Sequence, residues 1–218
     1  MPELFEYVME RHVALLRGAF PTRMLQELRN EAHAWGACTA LTPAQTYEDH
    51  NYHAVEAGVS PRQKTLHNYH AYNFNAPDKL PADLSRKLLD VYVPLLEFQN
   101  TLTQQSATFA NDSEGRRARP QLLQYPRGGG MFGRHLHALE PQRIGLVLAI
   151  SERGQDFNSG GTHFDVRGED VSSEDVHDIG DLLLFRFDIP HWIAPVDMAQ
   201  PCDYSLSSGR WTAVLPYR

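Results

Sequence analysis

The chain has 218 residues, 42% hydrophobic and 22% charged, with a net charge of −7; this suits one domain, 1–218, with a buried core, and gives nucleic acid no global basic surface to bind. No run approaches the roughly 18 apolar residues of a membrane span, and the opening MPELFEYVMERHVALLRGAF is too interrupted by charge to be a signal peptide, so neither membrane nor export is expected. Eleven histidines stand against only two distant cysteines, Cys38 and Cys202, which fits a reducing, cytoplasmic setting and makes imidazole and carboxylate the expected ligands of any metal.

Apolar residues Leu4, Phe5, Val8, Leu15 and Leu16 recur at near-helical spacing, predicting a helix over 3–17. Pro21 and Thr22, with Thr22 as N-cap, open a second helix whose apolar face is Met24, Leu25, Leu28, Ala32 and Trp35, closed by Gly36. Residues 37–62 are polar and marked by Pro and Gly, and read as a loop. The alternating KTLHNYHAYNFN, residues 64–75, reads as a strand. A third helix is expected over 81–93, kinked or ended by Pro94. Past the charged NDSEGRRARP, short apolar segments and turn signals alternate at 120–126, 131–138, 143–151, 161–167, 170–178, 181–187, 190–196 and 209–217. Eight such strands describe a sandwich or small barrel buttressed by the N-terminal helices, an α+β arrangement.

Three features of this C-terminal half carry chemistry. In GRHLHALEP, His135 and His137 are two apart, so on one strand they project from one face. They are either a pair of metal ligands or two half-exposed polar residues. His191 opens a strand after Asp-Ile-Pro, a setting that fits a rigid structural imidazole or a third ligand. An HxH pair and a distant histidine in an all-β region would together form a facial triad with three open metal positions. In GRWT, Arg210 and Thr212 share a face; inward-facing, the guanidinium needs an anion such as a carboxylate, and outward-facing it is a surface arginine.

QLLQYPRGGGMFGRHLH, IGLVLAIS, DFNSGGTHF, GDLLLFRFDIPHWIAPV and GRWT follow one another in an order that resembles the iron(II)/2-oxoglutarate-dependent oxygenases over residues 118–218, and more loosely over the N-terminal helices. The resemblance implies a double-stranded β-helix, a jelly roll of eight core strands, over 118–218, with 1–117 as helical support and an edge strand. It implies Fe(II) held by His135, His137 and His191, with 2-oxoglutarate and O₂ in the open positions. Arg210 would bind the distal carboxylate of 2-oxoglutarate with help from Thr212 and Tyr125. Gly160-Gly161 would be a tight turn near the site. The implied reaction is oxidation, by default hydroxylation, of a C–H bond in a small-molecule or peptide-linked substrate, with release of succinate and CO₂. Arg134, His70, Tyr72, Asn73 and Trp192 are the residues expected near the substrate.

One position departs from the family. Residue 137 should be Asp or Glu and is His, which leaves the metal unit one charge more positive. Asp165, in HFD, and Glu140 are alternative third ligands, and water is another. A three-histidine cupin dioxygenase that does not use 2-oxoglutarate would explain His137 more simply, but leaves Arg210 and Thr212 without a role. A non-catalytic metal-binding or sensor barrel is the third reading.

Overall fold

A computed structural model describes residues 1–39, 52–59 and 65–218. Helix α1 (Pro2–Arg11) buries Val8 and stops at His12, whose left-handed backbone (φ 75°) turns its amide back to the Val8 carbonyl. The predicted single helix over 3–17 is therefore two elements, because Val13–Leu16 forms strand β1 against the sheet edge. Tertiary pairing overrides a helical spacing that only Leu15 and Leu16 extended. Helix α2 (Thr22–Cys38) begins after Pro21, and Thr22 is its first residue rather than its cap. Gly36 lies inside it. A Cβ there would come within 2.5 Å of the Tyr72 ring, so this glycine marks close helix–sheet packing and not a helix end. Strand β2 (Tyr52–Val59) falls within the predicted 37–62 loop and pairs along its whole length with β3 (Leu66–Asn73); the other residues of that loop beyond Thr39 lie outside the described ones.

Helix α3 (Ala82–Thr103) runs well past its predicted end and through Pro94. Pro94 sits on the solvent side, between Val93 and Leu95, where a lost backbone hydrogen bond is left to water. All eight C-terminal segments then appear as strands: β4 (Gln121–Tyr125), β5 (Gly130–His135), β6 (Ile144–Ala149), β7 (Thr162–Val166), β8 (Glu169–Ser172), β9 (Leu182–Arg186), β10 (His191–Val196) and β11 (Arg210–Val214). β8 is shorter than its predicted segment, which continues as a turn.

The strands form one curled antiparallel sheet in the order β1-β9-β6-β11-β4-β3-β5-β10-β7-β8, with β2 on β3. β3 holds the curl together. Its residues 70–73 pair with β4, while His67 and Asn68 pair with β5, so one strand edge serves both halves. Alternation along each strand divides the apolar residues between two cores. Outside, Leu146, Leu148, Leu182, Leu184, Trp211, Ala213 and Tyr72 pack against Leu25, Leu28, Leu88 and Tyr92 of the helices. Inside, Val147, Leu183 and Phe185 meet Phe164 from the opposite half. Each fully buried large side chain contributes about 1.5–3 kcal/mol. The result is the double-stranded β-helix that the sequence resemblance implied, with a bore between its halves.

Gly145 shapes that bore. A Cβ at this position would stand 2.2 Å from the Phe185 ring, which in turn lies 4.6 Å, centroid to centroid, from the His191 ring. Gly145→Ala should therefore destabilise the protein by about 1–3 kcal/mol in urea denaturation, the usual result of overpacking. Adding Phe185→Leu should restore part of the loss.

Candidate metal centre

His135 ends β5 and His191 begins β10, and the register sets them directly opposite each other. Each ring is fixed in the same way. His135 Nδ1 lies 2.9 Å from the Gly133 carbonyl, and His191 Nδ1 lies 2.9 Å from that of Ile189. A carbonyl only accepts, so both Nδ1 atoms carry the proton and both Nε2 lone pairs are left to bind a metal. His137 arrives differently. β5 ends at His135, so His137 does not share a strand face with it and reaches the group from the following loop. Its ring stacks on Phe187 (4.4 Å, 18°) and stands edge-on to His135 at 5.0 Å.

One nitrogen from each of the three rings lies within 4.8 Å of the others, which fits one transition-metal ion. Burial is the main cause that lowers all three pKa values: His137 to about 3, with His135 and Arg218 adding to the effect, and His135 and His191 in the same direction. The cluster is therefore neutral at pH 7, the state in which imidazole binds a metal. Among the described residues no carboxylate joins it. Asp165 is paired with Arg134 and accepts the Gly168 amide at 2.7 Å, and Glu140 is exposed and paired with Arg143 at 2.9 Å.

Further along the bore, Arg210 is 3% exposed. Its Nη2 donates to Thr162 Oγ1 at 2.6 Å, while Nη1 is buried without a hydrogen-bond partner. Burial lowers its pKa to about 10, with the Tyr125 hydroxyl and Glu174 pulling the other way, so it remains a cation. A buried, half-unsatisfied guanidinium costs several kcal/mol unless an anion meets it. Tyr125 is its cross-strand partner, and burial raises that phenol's pKa, keeping it a hydroxyl. Thr212, two residues on, is buried on the same face. Thr162 pairs with Ile193, and Phe164 pairs with His191. Two residues of strand, roughly 7 Å, thus separate the level of Arg210's partner from that of the histidines.

The residues suggested for substrate are not gathered here. His70 and Tyr72 point out of the bore: Tyr72 stacks on Trp211 at 5.2 Å in the helix-side core, and His70 stacks on Tyr72 at 4.4 Å. Asn73 is at the far end of β3, where its side-chain Oδ1 accepts from the Gln121 side-chain Nε2. Arg134 and Trp192 lie on the outer face, the guanidinium 5.6 Å from the Trp192 ring, which His163 covers from its own strand. The residues beside the histidine cluster are instead Phe132, 4.4 Å from His135, with His67 and Tyr69 packed on Phe132 and Tyr69 on Tyr125. Alternation along β3 is the signal that finds Tyr69: with Tyr72 outward, the odd-numbered positions face in. Gly160 (φ 112°) packs against Val196 ahead of β7, as the glycine turn expected near the site.

No protein-family model and no curated protein matches the sequence. Solved structures do. A prolyl-4-hydroxylase from Pseudomonas putida is 15% identical with a TM-score of 0.61, covering 100% of this chain and 97% of that one. A 2OG-Fe(II) oxygenase-family oxidoreductase from Burkholderia pseudomallei is 13% identical with a TM-score of 0.59, covering 99% and 89%. The non-heme alpha-ketoglutarate-dependent epimerase SnoN from nogalamycin biosynthesis is 11% identical with a TM-score of 0.58, covering 100% and 84%. At these identities the likeness is one of fold. The cluster itself makes a separate prediction. His137→Ala should weaken Fe(II) binding at least about tenfold in an anaerobic competition titration, while Asp165→Asn should leave it within about twofold.

Proposed function

We propose that this chain, which has the fold of the iron(II)/2-oxoglutarate oxygenases, is such an oxygenase, with His135, His137 and His191 as its Fe(II) ligands and 2-oxoglutarate as its co-substrate. The observation that carries this reading is Arg210: a buried cation with a bare Nη1, inside the bore and about two strand residues from three neutral imidazoles. A short dicarboxylate meets both demands, with its 2-oxo acid end toward the histidines and its distal carboxylate on Arg210. When bound, iron with 2-oxoglutarate and O₂ supplies the oxidising power to attack an unactivated C–H bond, with release of succinate and CO₂.

The chain's own residues do the rest. Nδ1–H bonds to Gly133 and Ile189 hold two ligand rings in the metal-binding tautomer, and Phe187 holds the third. Arg210, steadied by Thr162, anchors the distal carboxylate, with the Thr212 and Tyr125 hydroxyls as further donors from the same wall. Phe164, Phe185 and Phe187 keep that side of the cluster dry, which strengthens every charge interaction within it. The substrate, a small molecule or a peptide-linked residue, would then approach along Phe132, His67 and Tyr69. Hydroxylation is the default outcome. Among the described residues no helix is long and apolar enough to cross a membrane, and the two exposed, unpaired cysteines suit a cytoplasmic setting.

Anaerobic addition of Fe(II) and 2-oxoglutarate should produce a visible metal-to-ligand charge-transfer band. Arg210→Ala should raise the 2-oxoglutarate needed for that band by about tenfold to a hundredfold, the loss of one charge-assisted hydrogen bond of about 1.5–3 kcal/mol. Protein that binds iron and never develops the band would overturn the proposal in favour of a three-histidine dioxygenase independent of 2-oxoglutarate.

A further inference from the structure

The structure buries another histidine that the three-imidazole cluster does not use. His177 lies in the turn after β8, and its backbone amide donates to the Ser173 carbonyl at 3.0 Å. Ser173 is tied in turn to Thr162, amide to carbonyl at 2.8 Å, and Thr162 is the residue that holds Arg210. On the other side, His177 Nε2 lies 3.1 Å from the Asp181 carbonyl. That carbonyl also takes the amide of Ala149, the cross-strand partner of Thr212. The ring is therefore tied on one side to β6, the neighbour of the strand that bears Arg210 and Thr212, and on the other to the segment that positions Thr162. It is 4% exposed. Because its partner is a carbonyl, Nε2 carries the proton of the neutral ring. Nδ1 is then a bare lone pair, buried with no hydrogen-bond partner, as is Arg210 Nη1.

The other charged groups around the ring are already committed. The Asp181 carboxylate takes Arg17 at 2.8 Å and the Gly18 amide at 2.9 Å. Asp178 takes the amides of Arg153 and Ile179 at 3.0 and 2.8 Å, and Glu174 takes that of Gly161 at 3.4 Å. Two charges act on the imidazole, Arg210 from β11 against its protonation and the Asp181 carboxylate in favour of it, while β6 contributes only the uncharged Val147 and Ala149.

We propose that His177 is a second binding residue for the distal carboxylate of the co-substrate, and that it takes a proton from solvent onto Nδ1 as that carboxylate binds. The inference rests on the 2-oxoglutarate reading of the site. In the neutral ring Nδ1 has only a lone pair to offer an anion; once protonated it becomes a donor, and guanidinium and imidazolium can hold the carboxylate together. In the free protein, burial and then the charge of Arg210 hold the His177 pKa down to about 4, while the Asp181 and Val147 carbonyls and the Asp181 carboxylate favour the charged ring. A bound carboxylate offsets the Arg210 charge and adds an acceptor, so the pKa rises on binding. A group whose pKa is raised by a ligand makes that ligand bind more tightly as the pH falls through the raised value, by at most about tenfold per pH unit.

The test is the Kd of 2-oxoglutarate for the anaerobic Fe(II)-loaded protein, read from the charge-transfer band at pH 7.5 and 6.5. The wild type should bind about threefold or more tightly at pH 6.5. Two comparisons should lose this dependence: His177→Gln with 2-oxoglutarate, and wild type with pyruvate, which lacks the distal carboxylate. Equal Kd values at the two pH values in the wild type, or the same dependence in His177→Gln or with pyruvate, would overturn the proposal. Should His177→Gln fail to fold, the wild-type comparison of 2-oxoglutarate with pyruvate decides alone. Absence of the band with 2-oxoglutarate would instead remove the 2-oxoglutarate reading itself, and this inference with it.

Discussion

The register between β5 and β10 is the constraint on which the site depends. It sets His191 across from His135, and in each case a carbonyl two residues earlier in the chain orients the ring. The geometry is thus encoded in strand pairing and backbone, which are stiff, rather than in flexible side-chain contacts. A one-residue slip would turn one imidazole out of the bore. β3 helps prevent such a slip, because it pairs with both β4 and β5 and so links the two halves of the curled sheet.

Burial does a second kind of work. Inside the bore it strips imidazoles of their protons and leaves a guanidinium short of a partner. Both effects follow from the poor solvation of charge in an apolar enclosure, yet they have opposite chemical meaning. The histidines become better donors of electron pairs, while the arginine, which cannot readily shed its proton, becomes a demand for an anion. In the proposed site, a seat for a cation and a seat for an anion would therefore lie about two strand residues apart.

Much of this was legible in the sequence. The C-terminal strands announce themselves because short apolar runs separated by Gly, Pro and Asp have few alternatives, and the HxH, distant His and RxT pattern marks the bore. What failed has identifiable causes. Strand β1 was hidden because its four residues continue the apolar spacing of α1, and only the sheet edge at β9 makes them extended. Gly36 and Pro94 looked like helix boundaries; one is a contact point for Tyr72 and the other faces solvent. On β3 the alternation was visible but its phase was not. His70 and Tyr72 were favoured for their chemistry, whereas Tyr69 and His67 lie beside Phe132. His177 gave no signal, since a histidine in a turn is buried within reach of the Arg210 charge only through tertiary packing.

The stack of His137 on Phe187 bears on how this protein can change over time. The face of a benzene ring is electron-rich, so it receives an imidazole readily and a carboxylate poorly. A substitution of His137 by Asp would give up the stack and set an anion against that face, with a shorter side chain to reach the other two rings. An acidic residue at 137, as the resembled family's motif has it, would therefore call for a change at 187 as well. The choice of residue at 137, and with it the net charge that the proposed centre would carry, is thus coupled to a phenylalanine that itself offers a metal no ligand atom.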